Sequence, residues 1–191
     1  MSGPEQRIEK IIRNKIYASN YWQSICIPLT LETILDEIVK LHDFGGTYGE
    51  LKKPTKFITL LMKLIMLRPS KEIIYEFIKD DTFKYIRIIG AFYIRMMGNS
   101  KECYEWIEPL YYDYRPIKYR IDGKSYETIT IDQFAWNLLH SDYYCDITLP
   151  LILPRPVLEE QKILSPRLST IKQQYTSDQF KELLKTISLD D

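Results

Sequence analysis

Hydrophobic residues recur every three or four positions through the first two thirds of the chain, a period typical of amphipathic helices. The pattern predicts a helix over residues 8–16, a second helix capped by Thr30, and a third that opens at Pro54, because proline suits the first turn of a helix. Between residues 57 and 67, nine of eleven side chains are apolar. A helix that is apolar on every side is usually buried, so this one is predicted to lie at the centre of the domain.

Helical spacing continues beyond this central segment. Ser70 is predicted to cap the next helix, a long helix spans residues 83–97 before Gly98, and Ser100 opens another. Thr130 and Gln133 have the spacing of a capping box. The helix that this box opens is predicted to carry the apolar residues Phe134, Trp136, Leu138 and Leu139.

The period changes to two at residues 117–129, around Asp122 and Gly123. This pair favours a two-residue type I′ turn and so predicts a β-hairpin, which needs helices to pack on because an isolated hairpin is marginal in water. The fold class is therefore predicted to be mainly α, with a single compact helical domain over residues 1–170 and one hairpin packed on it. Ser177 is predicted to open an amphipathic helix in a short C-terminal tail over residues 171–191.

Composition removes several classes of function. Lysine and arginine total 26, as do aspartate and glutamate, so a globally basic nucleic-acid clamp is not expected. The three cysteines form no CxxC pair and are odd in number, which argues against a zinc knuckle and a disulfide framework and indicates a reducing compartment. The apolar run at residues 57–67 is shorter than the ~20 residues of a membrane span. We expect no cofactor, no metal and no membrane contact.

Catalytic chemistry finds little support in the sequence. His140 lies five residues before Cys145, but nothing local fixes a nucleophile–base geometry, and a free cysteine more often acts as a small buried hydrophobe. His42 is better explained as a residue at a helix end, where the dipole favours a positive ring. The chain is therefore predicted not to be an enzyme, with a thiol enzyme acting through Cys145 as the weakest alternative.

A run of basic residues offers a second candidate function. Residues 51–71 contain no acidic residue and carry the basic residues Lys52, Lys53, Lys56, Lys63, Arg68 and Lys71. Lys84, Arg87 and Arg95 add a spaced basic set beside Tyr85 on the next long helix. Lysines next to an aromatic ring suit a phosphate backbone and a stacked base, so contact with RNA, centred on Lys52, Lys53 and Lys56, is the alternative hypothesis.

Tyrosine is the stronger signal, because fifteen are present and several are clustered. Tyrosine gives a large contact area at low entropic cost and is enriched at protein interfaces. One candidate partner-binding face comprises Tyr111, Tyr112 and Tyr114, with Asp113 and Arg115 setting the register. A second is the GGTYG loop, with Gly45, Gly46 and Tyr48. Which tyrosines face a partner and which belong to the core stays open at this level.

Several long segments resemble one family, the pre-mRNA-splicing factor 38 proteins. The similar segments cover residues 9–168 in the family's order and read EKIIRNKIYASNYW, FGGTYGELKKPTKFITLLMKL, EFIKDDTFKYIRIIGAFYIRM, EPLYYDYRPIK, LLHSDYYCDITLPLIL and RPVLEEQKILSPRL. The resemblance implies a nuclear, non-enzymatic component of the spliceosome that joins with the tri-snRNP and is needed when the U4/U6 duplex is opened.

The same resemblance implies an α-helical scaffold that docks partners. These are a microfibrillar-associated protein homologue, a small zinc-finger splicing protein and tri-snRNP proteins, and direct RNA contact is expected to be weak or indirect. Many members carry a long Arg/Ser- or Glu-rich extension, whereas the printed sequence ends at TISLDD. The folded domain is therefore expected to be the functional unit.

Overall fold

The computed structural model describes residues 4–167, which fall into one unit up to Leu153 and a second from Pro154 onward. The α-helices of the first unit are α1 (Lys10–Ala18), α2 (Ile34–Val39), α3 (Lys56–Leu67), α4 (Lys71–Lys79), α5 (Lys84–Met97), α6 (Ser100–Ile107) and α7 (Ile131–His140). Shorter helical turns span Pro4–Arg7, Trp22–Cys26 and Glu108–Tyr112. The strands are β1 (Thr47–Tyr48), β2 (Lys53–Pro54), β3 (Pro116–Arg120), β4 (Tyr126–Thr130), β5 (Tyr143–Tyr144) and β6 (Ile147–Thr148), and the second unit holds α8 (Arg155–Glu160).

Helices α3 and α5 form the centre of the first unit, as the apolar run at residues 57–67 predicted. Most α3 side chains are buried, and α5 is buried along nearly its whole length. An aromatic cluster joins them to neighbouring elements, with Phe44 5.8 Å from Phe57 and 5.3 Å from Phe134 between ring centroids. The mainly α fold class is confirmed.

A buried arginine ties the centre to the end of the unit. Arg95 of α5 is almost fully buried, and its Nε donates to the Leu138 carbonyl at 2.8 Å while Nη1 donates to the Pro150 carbonyl at 2.5 Å. Buried charge is tolerated where hydrogen bonds satisfy it. Arg95 is therefore a structural residue that joins α5 to α7 and to the segment after β6.

The predicted hairpin is present as β3 and β4, and it packs on the helical body. Ile117 of β3 is fully buried. The Phe44 backbone forms two hydrogen bonds with β3: its N–H donates to the Lys118 carbonyl at 2.9 Å, and its carbonyl accepts from the Arg120 N–H at 2.8 Å. Lys84 of α5 also donates to the Pro116 carbonyl at 2.6 Å.

The predicted two-residue turn is wrong. Arg120 pairs with Tyr126, and the Ile121 N–H donates to the Ser125 carbonyl at 3.1 Å, which leaves Asp122, Gly123 and Lys124 at the tip. This register puts Ile117 opposite Ile129, whereas a two-residue turn would move the pairing by one residue.

The predicted start of α3 differs in the structure. Pro54 belongs to β2, and α3 begins after Thr55, whose hydroxyl accepts from the Ile58 N–H at 3.2 Å and donates to the Gly45 carbonyl at 2.6 Å. A residue beside the predicted one therefore makes the capping hydrogen bonds. Ser100 opens α6 as predicted, and Asn99 before it is the cap, in a capping box with Glu102. The capping pair at α7 is present, since the Thr130 N–H donates to Gln133 Oε1 at 3.2 Å.

Pro150, Pro154 and Pro156 exclude a long regular helix after β6, and the described residues there form one helix, the short α8. The predicted helix after Ser177 lies outside the described residues. The predicted boundary at residue 170 also lies there and stays a prediction.

Candidate partner-binding surfaces

The tyrosines after α6 do not share one environment. Tyr112 and Tyr114 are 57% and 68% exposed, whereas Tyr111 is half-buried with its ring centroid 6.1 Å from that of Trp136. The Glu108–Tyr112 turn packs against α7, and this contact orients Tyr111 toward the body. Of the predicted trio, Tyr112 and Tyr114 present large surfaces to solvent.

Asp113, between these tyrosines, points inward. Its buried carboxylate accepts hydrogen bonds from Arg87 Nη1 at 2.6 Å and from Arg115 Nε at 2.8 Å, and Arg87 also pairs with the exposed Asp81. Burial by itself would raise the pKa of Asp113, but the hydrogen bonds from Arg115 and Arg87 outweigh it and lower the pKa to about 2. Asp113 and Arg115 thus fix the backbone beneath the tyrosines.

An exposed tryptophan, which sequence reasoning named only among the apolar residues of its helix, extends this surface. Trp136 is 53% exposed and stacks on the His140 ring at 3.7 Å between centroids. The buried positions of α7 are Ile131, Phe134, Ala135, Leu138 and Leu139. That spacing of three and four residues omits position 136, so a strict helical register would have placed Trp136 on the outer face.

The GGTYG loop is a buried junction from which the half-buried Tyr48 side chain reaches the surface. Gly45 and Gly46 are buried, and a Cβ on Gly46 would lie 2.2 Å from the Cys145 carbonyl oxygen, so a larger residue is excluded there. The Thr47 N–H and hydroxyl both donate to Asp146 Oδ2, at 2.6 and 2.7 Å. The Tyr48 side chain extends from this fixed loop into a surface cavity.

This cavity also brings together the three lysines predicted to contact RNA. Lys52, Lys53 and Lys56 line a space of about 760 Å³ with Tyr48. Sequence reasoning missed two further lysines there, Lys15 and Lys40, because they come from α1 and from the residue after α2. Only the fold brings these distant positions together, and no local sequence signal indicates it.

Two further basic residues of the predicted RNA-binding set, Lys63 and Lys71, form bonds within the protein. Lys63 donates to the Ile27 carbonyl at 2.9 Å, and Lys71 pairs with Glu102. The predicted basic set on α5 is also used within the protein. Lys84 donates to the hairpin, Arg87 to the Asp113 carboxylate, and Arg95 to backbone carbonyls.

The candidate nucleophile is shielded from solvent. Cys145 is buried, and burial raises the pKa of its thiol well above the usual value. His140 Nδ1 lies 2.9 Å from the Trp136 carbonyl oxygen, within its own helix. Among the described residues no cluster of three metal-ligating side chains is found, and no helix there is long and apolar enough to span a bilayer.

The geometry defines a helical body whose surface carries exposed aromatic side chains and a basic cavity. A model of the PRP38 family matches residues 2–162. Pre-mRNA-splicing factor 38A of Danio rerio is 44% identical over 172 residues, which cover 90% of this chain and 55% of that protein. Pre-mRNA-splicing factor 38 of Arabidopsis thaliana is 40% identical over 174 residues, 91% of this chain and 49% of that protein.

The chain belongs to the PRP38 family, as its sequence segments indicated. It spans about half the length of these curated relatives. A chain in the crystal structure of the Snu23–Prp38–MFAP1(217–258) complex of Chaetomium thermophilum has the same fold, with a TM-score of 0.85 and 29% identity, covering 98% of this chain and 96% of that one.

Proposed function

We propose that this protein is a non-enzymatic, protein-binding scaffold of the spliceosome. It acts in the nucleus, associates with the tri-snRNP and is required for the activation step in which the U4/U6 duplex opens. The observation that carries the proposal is the match, over nearly the whole of both chains, to a chain from the Snu23–Prp38–MFAP1 complex. Membership of the PRP38 family supports the same assignment.

The non-enzymatic role is supported by what the candidate catalytic groups do. The Cys145 thiol is held protonated by burial, and the His140 ring is stacked on Trp136. Both groups are used in packing, which is the role expected of them in a rigid scaffold.

The proposed partners are this organism's counterparts of MFAP1, the microfibrillar-associated protein, and of Snu23, the small zinc-finger splicing protein. Tri-snRNP proteins complete the set. One of these chains is proposed to dock against Tyr112 and Tyr114, beside a shallow cavity of about 400 Å³ that Tyr112 and Pro109 line. Exposed aromatic side chains on a rigid support are typical of residues that dominate binding energy.

Co-purification from nuclear extract tests the proposal. The tagged full chain is expected to retain the MFAP1 and Snu23 counterparts, and the Tyr112→Ala/Tyr114→Ala variant is expected to weaken their capture by ~1–3 kcal/mol without loss of thermal stability. Tyr75→Ala removes an exposed tyrosine from α4 and serves as the matched control. Full capture by the double variant, or loss of capture only in the control, would show that the docking face is elsewhere.

A second candidate function is contact with RNA through Lys52, Lys53 and Lys56. One observation favours it, namely that these lysines share a cavity with Lys15 and Lys40.

A further inference from the structure

The basic cavity is strongly asymmetric in charge, although the whole chain has a net charge of zero. Five lysines and Arg120 line it, and the one carboxylate among its described lining residues is that of Asp43. The lysines come from three separate parts of the chain, α1, the residue after α2, and the segment from residue 52 to the first residue of α3, and are Lys15, Lys40, Lys52, Lys53 and Lys56. Such clustering in a concave surface concentrates a positive potential that attracts anions.

The lysines differ in how far the protein itself uses them. Lys15 donates to the Leu51 carbonyl at 3.2 Å, Lys40 pairs with Glu37 at 2.6 Å, and the Lys56 ammonium lies 5.3 Å from the centre of the Tyr21 ring. Lys52 and Lys53 are exposed and form no ion pair with any described residue. These two ammonium groups can therefore meet a ligand without breaking an internal contact.

Arg120 is the one arginine among the described residues that line the cavity, and its guanidinium is already paired with Asp43. Arg120 Nε donates to Asp43 Oδ1 at 3.0 Å and Nη2 donates to Oδ2 at 2.8 Å, which is the two-bond geometry that a carboxylate ligand would need. A peptide carboxylate would thus find no open guanidinium. The available cations are lysines, which act as point charges and suit the regularly spaced phosphates of a backbone.

The same arginine fixes two aromatic rings beside the lysines. Its guanidinium carbon lies 4.9 Å from the centre of the Tyr48 ring and 4.8 Å from that of Tyr126, while Asp43 holds the guanidinium in place. Tyr126 is 43% exposed, so it keeps ring surface open to solvent. Flat rings next to lysines form the combination with which proteins hold single-stranded nucleic acid, by stacking bases and neutralising phosphates.

We infer that this cavity is a binding site for single-stranded RNA, with phosphates at Lys52 and Lys53 and a base stacked on Tyr126 or Tyr48. The inference deepens the second candidate function and does not depend on the scaffold proposal. Binding is expected to tolerate different sequences, because every base has a stacking face. Its affinity is expected to fall as salt concentration rises.

Fluorescence anisotropy with a 5′-labelled single-stranded oligouridine and the full chain tests this site. The Lys52→Gln/Lys53→Gln variant is expected to bind roughly tenfold more weakly at low salt. The slope of log K against log salt is expected to become less negative by about 1.4, since each of the two contacts with a single strand contributes about 0.7. Tyr126→Leu is expected to weaken binding about fivefold while leaving that slope unchanged.

The matched control is Lys79→Gln/Lys101→Gln, which removes the same charge from α4 and α6. Equal losses in both double variants, or no binding by the wild-type chain, would overturn the inference. Binding of an oligoglutamate peptide that depends on Lys52 and Lys53, without binding of oligouridine, would also overturn it and assign the cavity to an acidic polypeptide. The Lys52→Gln/Lys53→Gln variant is expected to capture the MFAP1 and Snu23 counterparts normally. Failure of the scaffold proposal would instead appear as a lack of capture by the wild-type chain, and the two proposals are therefore tested separately.

Discussion

Replacing Asp113 with asparagine is expected to destabilise the fold, because Asp113 neutralises Arg87 and Arg115 beneath the exposed tyrosines. The substitution keeps the shape of the side chain and removes its charge. The pKa of Asp113 falls from 3.8 to about 2 in the folded protein. At 1.36 kcal/mol per pKa unit, the ionised carboxylate contributes about 2 kcal/mol to the free energy of unfolding at neutral pH.

The pH dependence gives this prediction its sharpest test. Since folding lowers the pKa, the contribution is complete above the unfolded pKa of about 4 and disappears as pH falls through about 2. Urea unfolding followed by tryptophan fluorescence is expected to show Asp113→Asn less stable than wild type by about 2 kcal/mol at pH 7 and by about half of that at pH 3.

Asp122→Asn, at the exposed hairpin tip, is the control and is expected to change stability by less than about 0.5 kcal/mol. A loss for Asp113→Asn that is the same at both pH values, or no loss at pH 7, would refute the assignment of Asp113 as an ionised structural anchor.

Other expectations follow from buried groups. Gly46→Ala places a Cβ against the Cys145 carbonyl and is expected to lower the unfolding midpoint sharply, whereas Gly123→Ala, with nothing within 4 Å, is expected to leave it nearly unchanged in thermal melts. Arg95→Met leaves two carbonyls without donors and is expected to cost about 2–4 kcal/mol in urea unfolding; a cost below about 1 kcal/mol would contradict the structural role of Arg95. A thiol reagent at pH 8 is expected to label Cys145 only after denaturation, because burial raises its pKa, and rapid labelling of the native chain would contradict this.

Sequence patterning predicted those parts of the fold that depend on local periodicity. The apolar run of α3, the stop of α5 at Gly98 and the Thr130–Gln133 pair all have their signals within a few residues. Helix starts and turn lengths were harder, because neighbouring residues compete for the same backbone groups. Thr55 rather than Pro54 precedes α3 since its hydroxyl also bonds the Gly45 carbonyl, a contact ten residues away.

The candidate sites were predictable only as sets of residue types. The sequence singled out Tyr48 and Lys53 for two different functions, and the fold places both in one cavity. It could not show that Asp113 turns inward, because the partner that draws it there, Arg87, lies 26 positions away. Trp136 is the exception, since its helical register already separated it from the buried face of α7.

Site-specific photo-cross-linking in the assembled spliceosome tests the scaffold claim most directly. A photoreactive amino acid is introduced in place of Tyr112, which is exposed and lies beside the shallow cavity. The account predicts cross-links from this position to a polypeptide, the counterpart of MFAP1 or of Snu23. Cross-links to RNA alone, or none to any spliceosomal protein in a particle that contains the chain, would contradict it.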